Sequence, residues 1–292
     1  MSQFLQQLIN GLSLGSIYAL MAVGYSLVYS ILNFSNFAHG SVIMLGAYFG
    51  FYAMTLLPLP FMAALVVAAI GCGIVAVIVE RIAYRPLRRR NAPGLYFIIA
   101  AMGGSIFLEN LVIATIGPTF KTYPQIFAST AFKIGDVSVN KLDLIMFVIA
   151  AVSLLLLVFI LEKTKIGLAI RASSYSSKGA TLMGVNVDKV VFVIFLLGGV
   201  LAGLAGMMFG MRFTVYPTIG IITNKSFIAA VFGGLGSLPG AVIGSVLLGM
   251  IETFAAGYVA SNWRDFIAFA LLIIVLVIKP SGLMGKITED KA

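Results

Sequence analysis

Glu109, Glu252, Asp143 and the sole histidine, His39, are, with scattered hydroxyls, nearly all the reactive groups set inside the apolar runs of this sequence. An enzyme would have to be built from them, and none stands at a catalytic spacing. The chain has no H-E-x-x-H, no G-x-S-x-G and no pair of aspartates in glycine-rich helices. A carboxylate at membrane depth is costly and often marks a proton or cation path, which makes Glu109 and Glu252 candidates for proton coupling. Each could instead cap a neighbouring helix or pair with a cation from a short loop. With no Asp or Lys beside them on the same helix, the structural role is favoured. His39 adjoins Gly40, where its ring can hold free backbone groups, and without a second His it makes no metal site. Cys72 stands alone, which excludes a disulfide or a thiolate metal site within one copy. The glycine-rich stretch 233–240 lacks the Lys-Ser/Thr of a phosphate-binding loop, and Gly285-Lys286-Ile287 lacks the following hydroxyl. The expectation is no catalytic residue, no metal and no cofactor on this chain, so any ATP is bound by another subunit.

These few polar groups are carried by a chain of 292 residues that is 61% hydrophobic and 10% charged, with a mean hydropathy of +1.09. That composition belongs to polytopic membrane proteins. The first charged residue is Glu80, and the start, MSQFLQQ, lacks the cations of a secretory signal. The net charge of +9 follows from basic loops held on one side of a membrane, a simpler account than nucleic-acid binding.

Apolar runs at 8–32, 40–57 and 61–79 lead to a loop, ERIAYRPLRRRN, whose Arg81, Arg85, Arg88, Arg89 and Arg90 place it in the cytoplasm. Residues 95–116, with Glu109, cross outward. An external segment with little regular structure follows to Lys141, and 142–161 returns. After a cytoplasmic interval, 190–211 leaves again with a small-residue face of Gly198, Gly199, Ala202, Gly203, Ala205 and Gly206, suited to close helix packing. Arg212 and Lys225 bracket a short external segment. The run 227–232 is too short to span and reads as a half-helix that ends at the glycine-rich stretch; 241–258 and 266–278 complete the set. The expected architecture is a single all-α transmembrane domain over 1–292 with eight or nine membrane segments. Its N-terminus is outside and its tail, with Lys279, Lys286 and Lys291, is inside. Non-helical backbone at membrane depth must be buried in protein or line a cavity. The breaks at 33–40 and 233–240 are therefore candidates for a translocation path, with Asn33, Asn36, His39, Gly40, Gly233, Gly236 and Ser237 along it. The absence of a strip of charges suits a neutral or zwitterionic solute with an apolar side chain.

The interval 162–189, EKTKIGLAIRASSYSSKGATLMGVNVDK, is polar and cationic, with serines at 173, 174, 176 and 177 that can cap a short helix and Gly184 to end it. Ala172, Tyr175, Gly179 and Leu182 would share one face. Such a helix either serves as a solvated connector or docks on lipid or another protein, and spacing leaves both open.

Four ordered stretches, NFSNFAHGSVIMLGAYFG (33–50), GLAIRA and MGVNVDKV (within 167–190), FIAAVFGGLGSLPGAVIGSVLLGMIE (227–252) and IKPSGLMG (278–285), resemble the permease subunits of branched-chain amino-acid ABC importers, specifically the LivH type. The resemblance covers essentially the whole chain. It implies an importer in the bacterial inner membrane that moves leucine, isoleucine or valine. The partners implied are a second, LivM-like permease chain, two cytoplasmic ATPase subunits that hold ATP and magnesium, and a periplasmic substrate-binding protein. It also implies that the interval before M-G-V-N docks on an ATPase, through Tyr175, Gly179, Leu182, Met183 and Gly184. Ser176, Ser177, Lys178 and Gly179 stand where the family often has acidic residues, as does Ser41 after N-F-A-H-G. An ABC permease for urea or short amides, and a proton-coupled secondary transporter using Glu109 or Glu252, are the alternatives.

Overall fold

The computed structural model describes residues 2–127, 130–134 and 137–285, so Lys286 and Lys291 of the tail lie outside the described residues. The helices are α1 (Ser2–Leu32), α2 (Ala38–Thr55), α3 (Phe61–Val79), α4 (Arg85–Arg89), α5 (Gly94–Ile116), α6 (Lys141–Lys163), α7 (Lys165–Tyr175), α8 (Ser177–Leu182), α9 (Val187–Arg212), α10 (Ile219–Gly233), α11 (Leu238–Tyr258) and α12 (Arg264–Ile278). Among the described residues, seven helical segments are long and apolar enough to cross a membrane. The 18-residue α2 and the 15-residue α10 accompany them. Large apolar side chains stand exposed on α3, α5, α6 and α12, among them Ile70, Ile74, Ile78, Phe107, Leu155 and Val277. In water such surface would be a liability; in a bilayer it is the solvated face.

The arginine-rich stretch is not a loop. α3 continues through a π-helical turn, Glu80–Tyr84, into α4; Arg, Leu and Ala are good helix residues, and the π-turn falls just before Pro86, which has no N–H to donate to the preceding turn. The segment expected to lack regular structure after α5 contains a hairpin, β1 (Thr130–Ile134) paired antiparallel with β2 (Val137–Asn140). Its Val-Ser-Val alternation suits a half-exposed strand.

Contacts cluster the chain into two compact units, one of residues 1–26, 125–151 and 225–292, the other of 27–124 and 152–224. In the second unit α2, α3 and α9 pack on the predicted small-residue face. A Cβ on Gly46 would stand 2.8 Å from the Cα of Gly203, and one on Gly199 would stand 2.6 Å from the Cβ of Ala76. Helix axes approach this closely only where side chains are absent, which supplies the dispersion contacts that hold helices together in lipid. Gly203→Leu is therefore expected to cut the yield of monodisperse protein in detergent severely. Gly103→Leu, where a Cβ meets nothing within 4 Å, should have no effect. Equal yields of the two variants in size-exclusion profiles would refute the packing argument. In the first unit, α1 and α11 meet in the same way: a Cβ on Gly15 would lie 2.8 Å from the Cα of Val246. The side-chain amide of Gln6 both accepts from Ser138 N (2.9 Å) and donates to Ser138 O (3.0 Å), so it extends the ladder of the hairpin edge.

Candidate functional site

The first helix break is shorter than expected, 33–37. Asn33, exposed, takes the left-handed conformation (φ 52°) that ends α1, and its N–H is held by Tyr29 O. Asn36 is buried and accepts from the hydroxyl of Tyr84 at 2.6 Å, while His39 and Gly40 are buried in the first turn of α2. Phe34 packs on Tyr84 and Phe97.

The second break joins α10 to α11. Ser237 caps α11 by accepting from Gly240 N (3.2 Å), and Gly234 and Gly236 adopt φ of 111° and 83°, where a side chain would be strained. The chain after α12 seals this break: Leu283 N donates to Phe232 O and Met284 N to Gly233 O, both at 2.9 Å, which satisfies carbonyls orphaned at the end of α10. The IKPSGLMG motif thus acts as a backbone cap, a role its composition did not disclose. α10 itself begins at Ile219, so Lys225 lies within a helix and the short run 227–232 is that helix's second half. The expected external bracket by Lys225 is thereby corrected.

Lys225 is drawn inward by Glu252. The Glu252 carboxylate, with no exposed surface, accepts from Tyr18 Oη (3.1 Å), from Arg264 Nε (2.8 Å) and Nη2, and lies 3.4 Å from Lys225 Nζ; Lys225 also pairs with Asp265. Two carboxylates and two cations close a balanced network, the pairing that a buried charge requires.

Glu109 has no such network. Its Oε1 lies 3.2 Å from Ser41 Oγ and 3.4 Å from Ser105 Oγ; these hydroxyls bond each other at 2.6 Å, so one of them donates to the carboxylate, and no cation pairs with it among the described residues. The carboxylate borders a cavity of about 260 Å³ lined by Phe37, Met102, Ser105, Ile106, Gly220 and Asn224. Ser105 and Glu109 are four apart on α5 and so share a face, a signal present in the sequence. Their meeting with Ser41 was not.

At the basic end of the second unit, Arg88 bridges Glu80 (3.0 Å) and Asp188 (2.7 Å), and Arg85 and Arg89 also reach Asp188. This ties the arginine stretch to the M-G-V-N-V-D motif. The single short helix expected in 162–189 is two, α7 and α8. The chain turns at Ser176, whose hydroxyl accepts from Gly179 N (3.1 Å), and Gly184 ends the pair at φ 83°. Thr164 caps α7 in the same way. Tyr175, Leu182 and Met183 are 92%, 88% and 86% exposed, while Gly179 is half-buried and Ala180 buried beneath them.

Long apolar helices stacked on glycine, with an internal ion network, a cluster of arginines at one end and a carboxylate beside a cavity, fit a polytopic membrane permease. The chain belongs to the family described as branched-chain amino acid transport system / permease component, which it matches over residues 7–276. It is 38% identical over 303 residues to the high-affinity branched-chain amino acid transport system permease protein BraD of Pseudomonas aeruginosa, covering 99% of this chain and 98% of that one. It is 37% identical over 308 residues to the corresponding LivH protein of Escherichia coli, with 99% and 97% covered. A probable branched-chain amino acid transport permease protein LivH of Methanocaldococcus jannaschii is 31% identical over 92% of this chain and 89% of its own. Among solved structures, PsaBC from Streptococcus pneumoniae in complex with Fab shares the fold at a TM-score of 0.51 and 15% identity, covering 96% of this chain and 93% of that chain.

Proposed function

We propose that this chain is one of two permease subunits of an ATP-driven importer, and that it forms half of the path by which leucine, isoleucine or valine crosses the bacterial inner membrane. The observation that carries this reading is likeness along nearly the whole chain to proteins named for that transport. The geometry supports it: three large apolar side chains of α7 and α8 stand in the open at the end where the arginines gather, where an ATPase would cover them. In this reading the arginine end and the C-terminus are cytoplasmic, the N-terminus is periplasmic, and ATP with magnesium is bound by two ATPase subunits. A second, LivM-like permease completes the path and a periplasmic binding protein delivers the solute. Asn33 and Asn36 in the first break, His39 and Gly40 in the first turn of α2, Gly233 at the end of α10, and Gly236 and Ser237 in the second break remain proposed wall residues of that path.

The test is reconstitution of the permease pair with its ATPases in liposomes, with binding protein supplied on one side. ATP-dependent uptake of labelled leucine, and none of labelled urea, is expected. Urea uptake in place of leucine, or leucine uptake driven by a proton gradient without ATP, would overturn the reading. Orientation is checked in cells: cysteine at Ser174 should resist an impermeant reagent that labels cysteine at Lys121.

A further inference from the structure

We propose that Glu109 and its cavity form a station within the membrane that receives the ammonium group of a small zwitterion, an inference that rests on the functional reading above. Glu252 and Glu109 both lie within long apolar helices, and the chain treats them oppositely. Glu252 is surrounded by Lys225, Arg264 and Tyr18, whereas Glu109, among the described residues, hydrogen-bonds only with the Ser41–Ser105 hydroxyl pair and borders open space. A carboxylate without a cation is not tolerated against lipid, so the cavity beside it faces water or a partner rather than hydrocarbon. The Ser41–Ser105 pair spends one of its two hydroxyl hydrogens on its own 2.6 Å bond and can give only the other to Glu109 Oε1, which leaves most of the carboxylate's acceptor capacity for a cationic ligand. The group that fits is a primary ammonium.

The other walls extend the match. Phe37, Met102 and Ile106 give an apolar surface for an aliphatic side chain. The Asn224 amide and the backbone N–H of Gly220, in the first turn of α10, offer donors for the opposite, carboxylate end. At about 260 Å³ the space falls just under the ~300 Å³ at which clefts for drug-sized ligands begin, as suits a single amino acid. Gly220 is part of the construction, since a Cβ there would stand 3.2 Å from Glu109 Oε1 and intrude on the space beside it.

The experiment uses the assembled importer carrying Ser105→Cys in a Cys72→Ala background. Small cationic methanethiosulfonate should modify position 105 at least tenfold faster than the anionic reagent, relative to their rates with free thiol, and Glu109→Gln should remove that preference. Millimolar leucine and leucinamide, which carry the ammonium, should protect the thiol, and isocaproate, which lacks it, should not. In the chain with Cys72 and Ser105 intact, Glu109→Gln should lower leucine uptake at least tenfold while the partner subunits still co-purify. Equal rates for the two reagents, protection by isocaproate as strong as by leucinamide, or wild-type uptake by Glu109→Gln would each overturn the proposal. So would loss of the second permease from the Glu109→Gln complex, which would show that the carboxylate meets a cation of that partner. The functional reading fails separately, if the wild-type complex imports no leucine; the charge preference at position 105 still decides whether Glu109 attracts an ammonium.

Discussion

A Leu182→Asp, Met183→Asp double variant is expected to insert at wild-type level, to lose the proposed ATPase subunits on purification and to stop importing. Leu182 is the last residue of α8 and Met183 the residue after it, and neither is needed to fold the segment: α8 is held by the Ser176 cap and by buried Ala180, while both apolar side chains are more than four-fifths exposed. Burying each in an apolar cleft contributes about 1.5–3 kcal/mol. Losing both costs at least about 3 kcal/mol, more than ~100-fold in affinity. A carboxylate placed in the cleft adds its own desolvation cost. A solvated connector would tolerate both changes. Co-purification of the ATPases at wild-type yield together with normal uptake would show that α7 and α8 do not form the coupling element.

What was legible in the sequence was whatever local composition dictates. Apolar length gave the spans, glycine spacing on α9 gave the packing face that Gly199 and Gly203 fill, and Ser176 and Gly184 marked the ends of a helix. Four kinds of feature escaped, each for a physical reason. The arginine stretch was read as a loop because charge outweighed helix propensity, although Arg is a good helix former and the ends of Arg85, Arg88 and Arg89 find Asp188. Lys225 was placed outside because a lone cation beside an apolar run has no partner in its own segment; Glu252 and Asp265 lie far along the chain. The sealing of the 234–237 break by Leu283 and Met284 uses backbone groups, which leave no trace in side-chain pattern. The setting of Glu109 depends on α2 meeting α5, and the serines that touch it are among the commonest polar residues of membrane helices. The pairings of Lys225, Gly233 and Glu109 are long-range, whereas the arginine helix, the hairpin and the turn at Ser176 are local features that composition leaves open.

Glu252→Ala is expected to destabilise the first unit by about 3–5 kcal/mol, the range for removing one partner of a buried ion pair. The loss is large because the carboxylate is fully buried and joins three helices: Tyr18 of α1, Lys225 of α10 and Arg264 of α12. Without it Arg264 and Lys225 remain largely shielded, with side chains 27% and 15% exposed, and Asp265, itself 57% exposed, is left to offset both. Glu252→Gln keeps the size and one acceptor but not the charge, so it should fall between the wild type and Glu252→Ala. Restoring neutrality tests the cause: the double variant Glu252→Ala, Arg264→Ala should be less damaged than the sum of the two single changes. The measurement is detergent Tm and monodisperse yield for the wild type and the four variants, with uptake assayed in parallel. A proton carrier would give the opposite pattern, in which Glu252→Gln keeps wild-type stability and loses transport. Wild-type Tm and yield for Glu252→Ala would remove the structural role assigned to the network, and additive single effects would show that Glu252 and Arg264 act independently.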